Sequence, residues 1–370
     1  MHGGWVGFLG YRAGELVERL PAGPRRPRPL PDWWLAHHDH VLRFDPDTGW
    51  WFEALWSETR APELERRQAL LADRLAGPPP PALHVSCGDF HATPDDEVHR
   101  AAVRRAIEHI EAGDIYQANV CLRVDAEISG SALDLFARGV DALDPPYAAF
   151  LDVGSGAAVA SLSPEQFLRR TGDRVTTRPI KGTRRRSDDS AADTAARREL
   201  ETSAKDRAEN VMIVDLMRND LGRVCRPGSV AVPLIAGVEP HPGVWHLVSE
   251  VAGRLRPGCG DGTLLRATFP PGSVTGAPKV RAMEVIAEVE STGREVYTGA
   301  IGMVSPVAGA EWNVAIRTFE VSGSAVWLGA GGGIVAESDP SAELDECRTK
   351  ARPLVEAIGA RLDDRADGRR

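Results

Sequence analysis

Cysteine is scarce in this sequence and shows no pairing pattern. The chain of 370 residues holds five, at positions 87, 121, 225, 259 and 347, and none forms a C-x-x-C pair. An odd count without that spacing argues against a disulfide framework or zinc cluster, and fits a reducing cytoplasm. Positive charge is not in excess either. Forty-four Lys and Arg against 53 Asp and Glu give a formal net charge of -9, which leaves no basic footprint for nucleic acid. No apolar run approaches the roughly 18 residues that a membrane helix needs. The opening MHGGWVGFLGYR also lacks the layout of a secretory signal. The expectation is a cytoplasmic protein with neither a membrane nor a nucleic acid as partner. Two nucleotide-binding signatures are missing too. Ile334 occupies the sixth position of a G-x-G-x-x-G fingerprint begun at Gly329, and Gly276 and Lys279 are not adjacent as a Walker loop requires.

What is present suits a globular protein. Apolar residues make up 42% and charged ones 26%, enough for one large domain or two modest ones. Proline-rich stretches at 21–31 and 78–81 read as boundaries or linkers. Between them, VLRFDPDTGWWFEALW predicts two strands around a turn, so 1–80 reads as a small strand-containing segment. From about 96 to 362 the pattern is that of the main domain. Helical spacing runs from Val98 to Ala112 and stops at Gly113. Strands are expected at 119–128, 148–154 and 158–163, and a helix at 203–221 with Ser203 as its N-cap. Another helix should start near Ala277–Pro278, with proline in its first turn. Strands follow at VYTGAIGMV, NVAIRTFEV and AVWLGAGGGIV, then a helix from about 340 to 362 and a frayed tail, DDRADGRR. Strands without regular βαβ alternation predict an α+β fold.

Four features could carry chemistry. Asp206 with Glu209, and Glu343 with Glu346, are i, i+3 pairs on predicted helices, so each pair shares a helix face. Converging carboxylates suit a hard cation such as Mg²⁺, although such pairs taken singly are more often solvated faces. Lys181 lies in TRPIKGTRRR among four arginines; burial and cationic neighbours would free its amine to act as a nucleophile, whereas a solvated basic loop would not. FPPGSVTGAPK is a stiff turn feeding a helix N-terminus, a place for an anion or simply a cap. The Gly331, Gly332, Gly333 run lets backbone approach a ligand, or makes a bulge. Glu165 and His246 are candidate acids or bases, and Arg317 a candidate carboxylate partner.

Taken together the stretches GDIYQANVCLR, SLSPEQF, RPIKGTRRR, KDRAENVMIVDLMRNDLGRV, HLVSEVAGRL, FPPGSVTGAPKVRAMEVI, VYTGAIGMV, NVAIRTFEV and GAGGGIVAESDPSAELDE resemble the chorismate-utilising enzymes. They follow that family's order from about 113 to 346. The resemblance implies a sandwich of two large antiparallel sheets with helices outside, and 96–362 as its chorismate-binding catalytic domain. It implies a buried site for chorismate and Mg²⁺, the metal held by Glu209 and Glu346 with Glu343 and Asp206 in support. The family often carries Glu where this chain has Asp206. Substrate contacts would fall on Ser273, Tyr297, Arg317 and the backbone of Gly331, Gly332 and Gly333, with His246 facing the ring.

Lys181 separates the members. Those that aminate chorismate at C4 carry lysine there, whereas anthranilate and isochorismate synthases usually carry alanine. The resemblance therefore implies conversion of chorismate and ammonia to 4-amino-4-deoxychorismate, with Lys181 as nucleophile and Glu165 as general acid. Anthranilate synthesis is the alternative. A separate glutamine amidotransferase subunit would supply the ammonia, and another protein would release pyruvate. Relatives also begin with a longer N-terminal portion that helps build an effector pocket, so either the true start lies upstream or 1–80 is a truncated segment, and a truncated form would expose a sheet edge.

Overall fold

The computed structural model describes residues 3–26, 30–79 and 84–363. The expected frayed tail beyond Asp363, and parts of both proline-rich stretches, lie outside the described residues.

Two antiparallel sheets form the centre. The larger has nine strands. Its order is β12 (Ile180–Arg185), β14 (Val244–Arg254), β11 (Arg174–Arg178), β10 (Gln166–Thr171), β17 (Gly309–Val314), β16 (Ala300–Ser305), β1 (Gly4–Leu9) and β2 (Trp33–His38), and β13 (Ala231–His241) pairs with β14. The second has eight strands. Its order is β15 (Gly276–Ala277), β7 (Gln117–Gly130), β19 (Ala325–Ile334), β18 (Thr318–Ser322), β9 (Ala157–Ser163) and β8 (Tyr147–Gly154), while β5 (Val85–Cys87) and β6 (His91–Thr93) add to β7. The expected turn at 45–49 joins a separate hairpin of β3 (His40–Asp45) and β4 (Gly49–Ala54). Asp45 Oδ1 closes it by accepting the N–H groups of Asp47 and Thr48.

The helices are α1 (Ala61–Ala76), α2 (Asp96–Glu111), α3 (Ala132–Leu143), α4 (Ser190–Thr202), α5 (Ala204–Gly222), α6 (Asp261–Thr268), α7 (Lys279–Val289) and α8 (Pro340–Ala357). Strand β19 shows why the layers form. Its run AVWLGAGGGI is apolar on both faces, as a strand covered on both sides must be. Val326, Leu328 and Ala330 pack with Leu344, Ala351 and Val355 of α8. Ala325 and Trp327 face the other way, onto Phe8 and Ile301 of the larger sheet. On the far side, Ile213, Val214, Met217 and Leu221 of α5 cover Val175 and Val251. The result is helix, sheet, sheet, helix, the α+β sandwich expected. Among the described residues no helix is long and apolar enough to cross a membrane.

Some element boundaries differ from the expectation, each for a tertiary reason. NVAIRTFEV is not one strand. It breaks after Val314 and resumes at Thr318, because the chain passes there from one sheet to the other, with Arg317 at φ +50°. In VYTGAIGMV only Ala300–Ser305 is strand, since the preceding turn holds Thr298 at φ +64°. Ala277 pairs with Gln117 as β15, so Pro278 is the N-cap of α7 and not part of its first turn. The last helix ends at Ala357, short of 362, just before Gly359 at φ +80°.

Candidate active site

The chain steps directly from one sheet to the other at two neighbouring places, and each carries a candidate residue. Glu165 lies between β9 and β10, and Arg317 between β17 and β18. The crossings are laced together. Val314 N–H donates to Glu165 O at 3.0 Å, Leu162 N–H to Arg317 O at 2.9 Å, and Ser163 Oγ to Val314 O at 2.6 Å. A left-handed conformation at a non-glycine residue such as Arg317 costs energy and persists only where its surroundings enforce it.

Glu165 is 4% exposed. Burial pushes its carboxyl up to about 7, against the opposing pull of the Ser273 hydroxyl that donates to it, the Lys181 ammonium, the Ile180 N–H and the Arg317 guanidinium. Ser273 reaches it from a short 3-10 turn, Gly272–Val274. The loop carrying that turn is tied back by Lys279, whose ammonium donates to Thr268 O at 2.7 Å, to Pro270 O at 2.9 Å and to buried Asp220 of α5.

Lys181 projects from β12, its side chain 12% exposed and its Nζ 4.0 Å from Glu209 Oε2. Burial lowers its pKa, Glu209 opposes the fall, and Lys350 adds to it. The cause expected from sequence needs correction here. The loop arginines do not crowd the amine. Arg178 pairs with Glu239, Arg184 with Glu199 and Asp206, and Arg186 with Asp193. Desolvation takes the part those cations were expected to play.

His246 of β14 is 1% exposed, with its Nδ1 2.9 Å from Thr183 Oγ1 and its Nε2 without a partner among the described residues. Burial holds its pKa down to about 3, and Arg317 and His241 push the same way. The ring is therefore neutral near pH 7 and cannot serve there as a cationic acid.

Two of the four acids, Glu343 and Glu346, lie at the glycine strand, and Glu209 couples electrostatically to Glu346. A Cβ on Gly332 would stand 2.8 Å from Glu343 Oε2 and 3.7 Å from Glu346 Oε1, so a side chain there would push the Glu343 carboxylate aside. Burial raises the pKa of both Glu209 and Glu343, and Glu346 adds its negative charge to each. Glu343 accepts the Ser338 hydroxyl at 2.7 Å. Burial would raise Glu346 also, but Lys350, 2.7 Å away, brings it below its usual value. Asp206 stands apart: Arg184 holds its carboxylate at 3.1 Å. Among the described residues no three His, Cys, Asp or Glu side chains stand together as a ready metal cluster. The donor set still fits a hard cation, since Glu209, Glu343 and Glu346 offer only oxygen, and the charge of Glu346 raises the pKa of the other two, a repulsion that a bound cation would relieve.

Tyr297 packs its ring against Gly329, and its hydroxyl lies 3.7 Å from Cys121 Sγ. Buried Glu320 fixes it from behind by accepting the N–H groups of Val296 and Tyr297 at 3.0 and 3.1 Å. Two further residues belong to the site and were not singled out in the sequence. Lys350 donates to Gly331 O at 2.8 Å, and its position four residues after Glu346 was a usable signal. Gln117 lies against Gly333 beside Lys181: a Cβ on Gly333 would be 2.6 Å from Gln117 Nε2 and 3.4 Å from Lys181 Nζ. Its place at the start of a strand gave no signal.

A two-layer sandwich, with a buried acid and arginine at inter-sheet crossings, a buried lysine on a neighbouring strand and a glycine strand facing carboxylates, defines a class. The chain belongs to the chorismate binding enzymes, the family that matches residues 1–356, and it uses chorismate. Anthranilate synthase component 1 of Streptomyces coelicolor is 39% identical over 374 residues, covering 96% of this chain and 73% of that protein. Aminodeoxychorismate synthase component 1 of Escherichia coli is 38% identical over 356 residues, covering 96% and 77%. The solved anthranilate synthase component I from Streptococcus pneumoniae has a TM-score of 0.87 at 31% identity, covering 95% of this chain and 80% of that one. Relatives of both activities thus match equally well.

Proposed function

We propose that this enzyme converts chorismate and ammonia to 4-amino-4-deoxychorismate, with ammonia supplied by a glutaminase partner in the cytoplasm. The observation that carries this reading is Lys181: a buried amine of lowered pKa, 4.0 Å from Glu209 and within electrostatic reach of Glu165. Burial shifts the amine toward its neutral, nucleophilic form, and an acid that titrates at about 7 can still deliver a proton near neutrality.

The steps balance. The Lys181 lone pair forms a bond to ring C2, the two ring double bonds shift, and the C4–O bond breaks. The Glu165 carboxyl gives its proton to the departing hydroxyl, which leaves as water. Ammonia then attacks C4, the double bonds shift back, and the C2–N bond breaks to return Lys181 as a neutral amine. The new C4 ammonium returns one proton to Glu165. The sum is chorismate plus ammonia giving the amine plus water.

Arg317 and Tyr297 would hold the side-chain carboxylate of the substrate, and the Gly331–Gly333 backbone its ring end. Neutral His246 would face the ring. Glu209, Glu343 and Glu346 would hold Mg²⁺, which when bound draws charge from the ring carboxylate as a Lewis acid. The test is incubation with chorismate, Mg²⁺ and ammonium salt, with the product identified by mass. A product that keeps the enolpyruvyl group and gains nitrogen supports 4-amination; fluorescent anthranilate overturns it.

A further inference from the structure

Glu320 is an acid in an apolar place. It stands on β18 with 0% exposure, and its ladder neighbours are Trp327 on β19 and Val159 on β9. Burial pushes its carboxyl up to about 8 and Glu295 adds to the rise, against the pull of two N–H groups and of Arg123 on β7. An aliphatic side chain would fill the space without the cost of burying an acid. What the acid does is grip a loop. Its Oε2 accepts Val296 N–H at 3.0 Å and its Oε1 accepts Tyr297 N–H at 3.1 Å. The next two residues are held farther back along the same connection. Thr298 N–H donates to Ala315 O at 2.8 Å, and Ala315 N–H to Gly299 O at 2.9 Å. Residues 296–299 thus run beside 315–320, anchored at both ends, with Arg317 between the anchors. Thr298 at φ +64° and Arg317 at φ +50° are both left-handed without being glycine, a conformation that holds only under constraint. The Tyr297 ring cannot compensate for a shift of its backbone. A Cβ on Gly329 would meet its Cδ1 at 2.2 Å, so the ring lies hard against β19.

We propose that Glu320 is a positioning residue for recognition of the substrate's side-chain carboxylate: by fastening the loop of Tyr297 to the strand that follows Arg317, it sets the span between phenol and guanidinium. This rests on the reading above that these two groups hold that carboxylate, and it stands whichever ring carbon is aminated. The choice of an acid follows from the two N–H groups. A carboxyl has two oxygens, and each takes one of them. Glutamine would keep one acceptor and turn an NH₂ group toward the other N–H, so one of the two loop residues would be pushed away. Contacts from arginine to a carboxylate depend on the direction of each hydrogen bond. A small shift of Tyr297 relative to Arg317 therefore weakens the grip on the substrate and leaves Lys181 and the metal acids as they were.

The experiment follows chorismate consumption with ammonium salt, varying chorismate and Mg²⁺ separately, in the parent enzyme, Glu320→Gln, Tyr297→Phe and the double variant. The chorismate KM should rise about tenfold in Glu320→Gln, the loss of roughly one hydrogen bond, with kcat within about threefold and the half-maximal Mg²⁺ concentration within about twofold of the parent. Because Glu320 acts through Tyr297, adding Glu320→Gln to Tyr297→Phe should raise KM by only about threefold or less. Glu320→Asp keeps two acceptors and should recover part of the loss. Thermal melting checks folding, and Glu320→Met takes the place of the glutamine variant if that one does not fold. A folded variant with an unchanged chorismate KM overturns the role. So does a loss confined to kcat, or a tenfold penalty undiminished in the Tyr297→Phe background. If Tyr297→Phe alone leaves the KM unchanged, the reading of the carboxylate clamp fails and this role with it; if it raises the KM and Glu320→Gln does not, the role of Glu320 alone is lost.

Discussion

Glu165 and Glu346 both act on the charge of Lys181, yet their surroundings drive them in opposite directions. Glu165 is enclosed where the chain changes sheets, and burial outweighs the hydroxyl and cations around it, taking it to about 7. Glu346 is on α8 with nearly half its side chain exposed, and its partner Lys350 overcomes the effect of burial and lowers its pKa. One environment produces a proton donor and the other a permanent anion. The lesson is that the two ends of the site are specialised by depth and by a single neighbouring cation, since the side chains themselves are the same.

The comparison can be broken most severely at its midpoint. Lys181→Ala should lower 4-amination by about 10³-fold or more, as loss of a covalent nucleophile does, while leaving the melting temperature nearly unchanged. A coupled lyase assay reads the first and calorimetry the second. Glu165→Gln comes next, with a loss of roughly 10² to 10⁴-fold in kcat. The parent rate should fall as pH rises through about 7, because only the protonated carboxyl can deliver a proton, and that limb should vanish in the variant. At the other end, Glu346→Gln should raise the Mg²⁺ concentration for half-maximal rate by roughly tenfold or more, with the acid limb of Glu165 untouched. Ser203→Ala, which removes the hydroxyl accepting the Asp206 N–H at 3.2 Å, should cost about 1 kcal/mol of stability and little activity.

Much of the scaffold was legible in local chemistry. Ser203 does cap α5, Gly113 follows the end of α2, and the hairpin turn falls at Asp45. What escaped was pairing between residues remote in the chain. The acids that engage Arg178 and Arg184, including Asp206, lie 61 and 22 residues away. Nothing in the spacing of the arginines shows that they face those acids and leave desolvation to act on Lys181. Arg317 looked like a strand residue because the flanking apolar positions continue on both sides; only the change of sheet reveals the break. Gln117 was silent for a different reason, since only the fold brings it beside Lys181.

The two direct strand-to-strand crossings at Glu165 and Arg317 carry a mechanical consequence. Because the acid and the guanidinium sit on the strands of chain that stitch one layer to the other, they report the register of the whole sandwich. Any slip of the layers past each other would misalign proton donor and nucleophile before it exposed much core. Mild denaturant or pressure should therefore extinguish turnover ahead of the loss of helical signal.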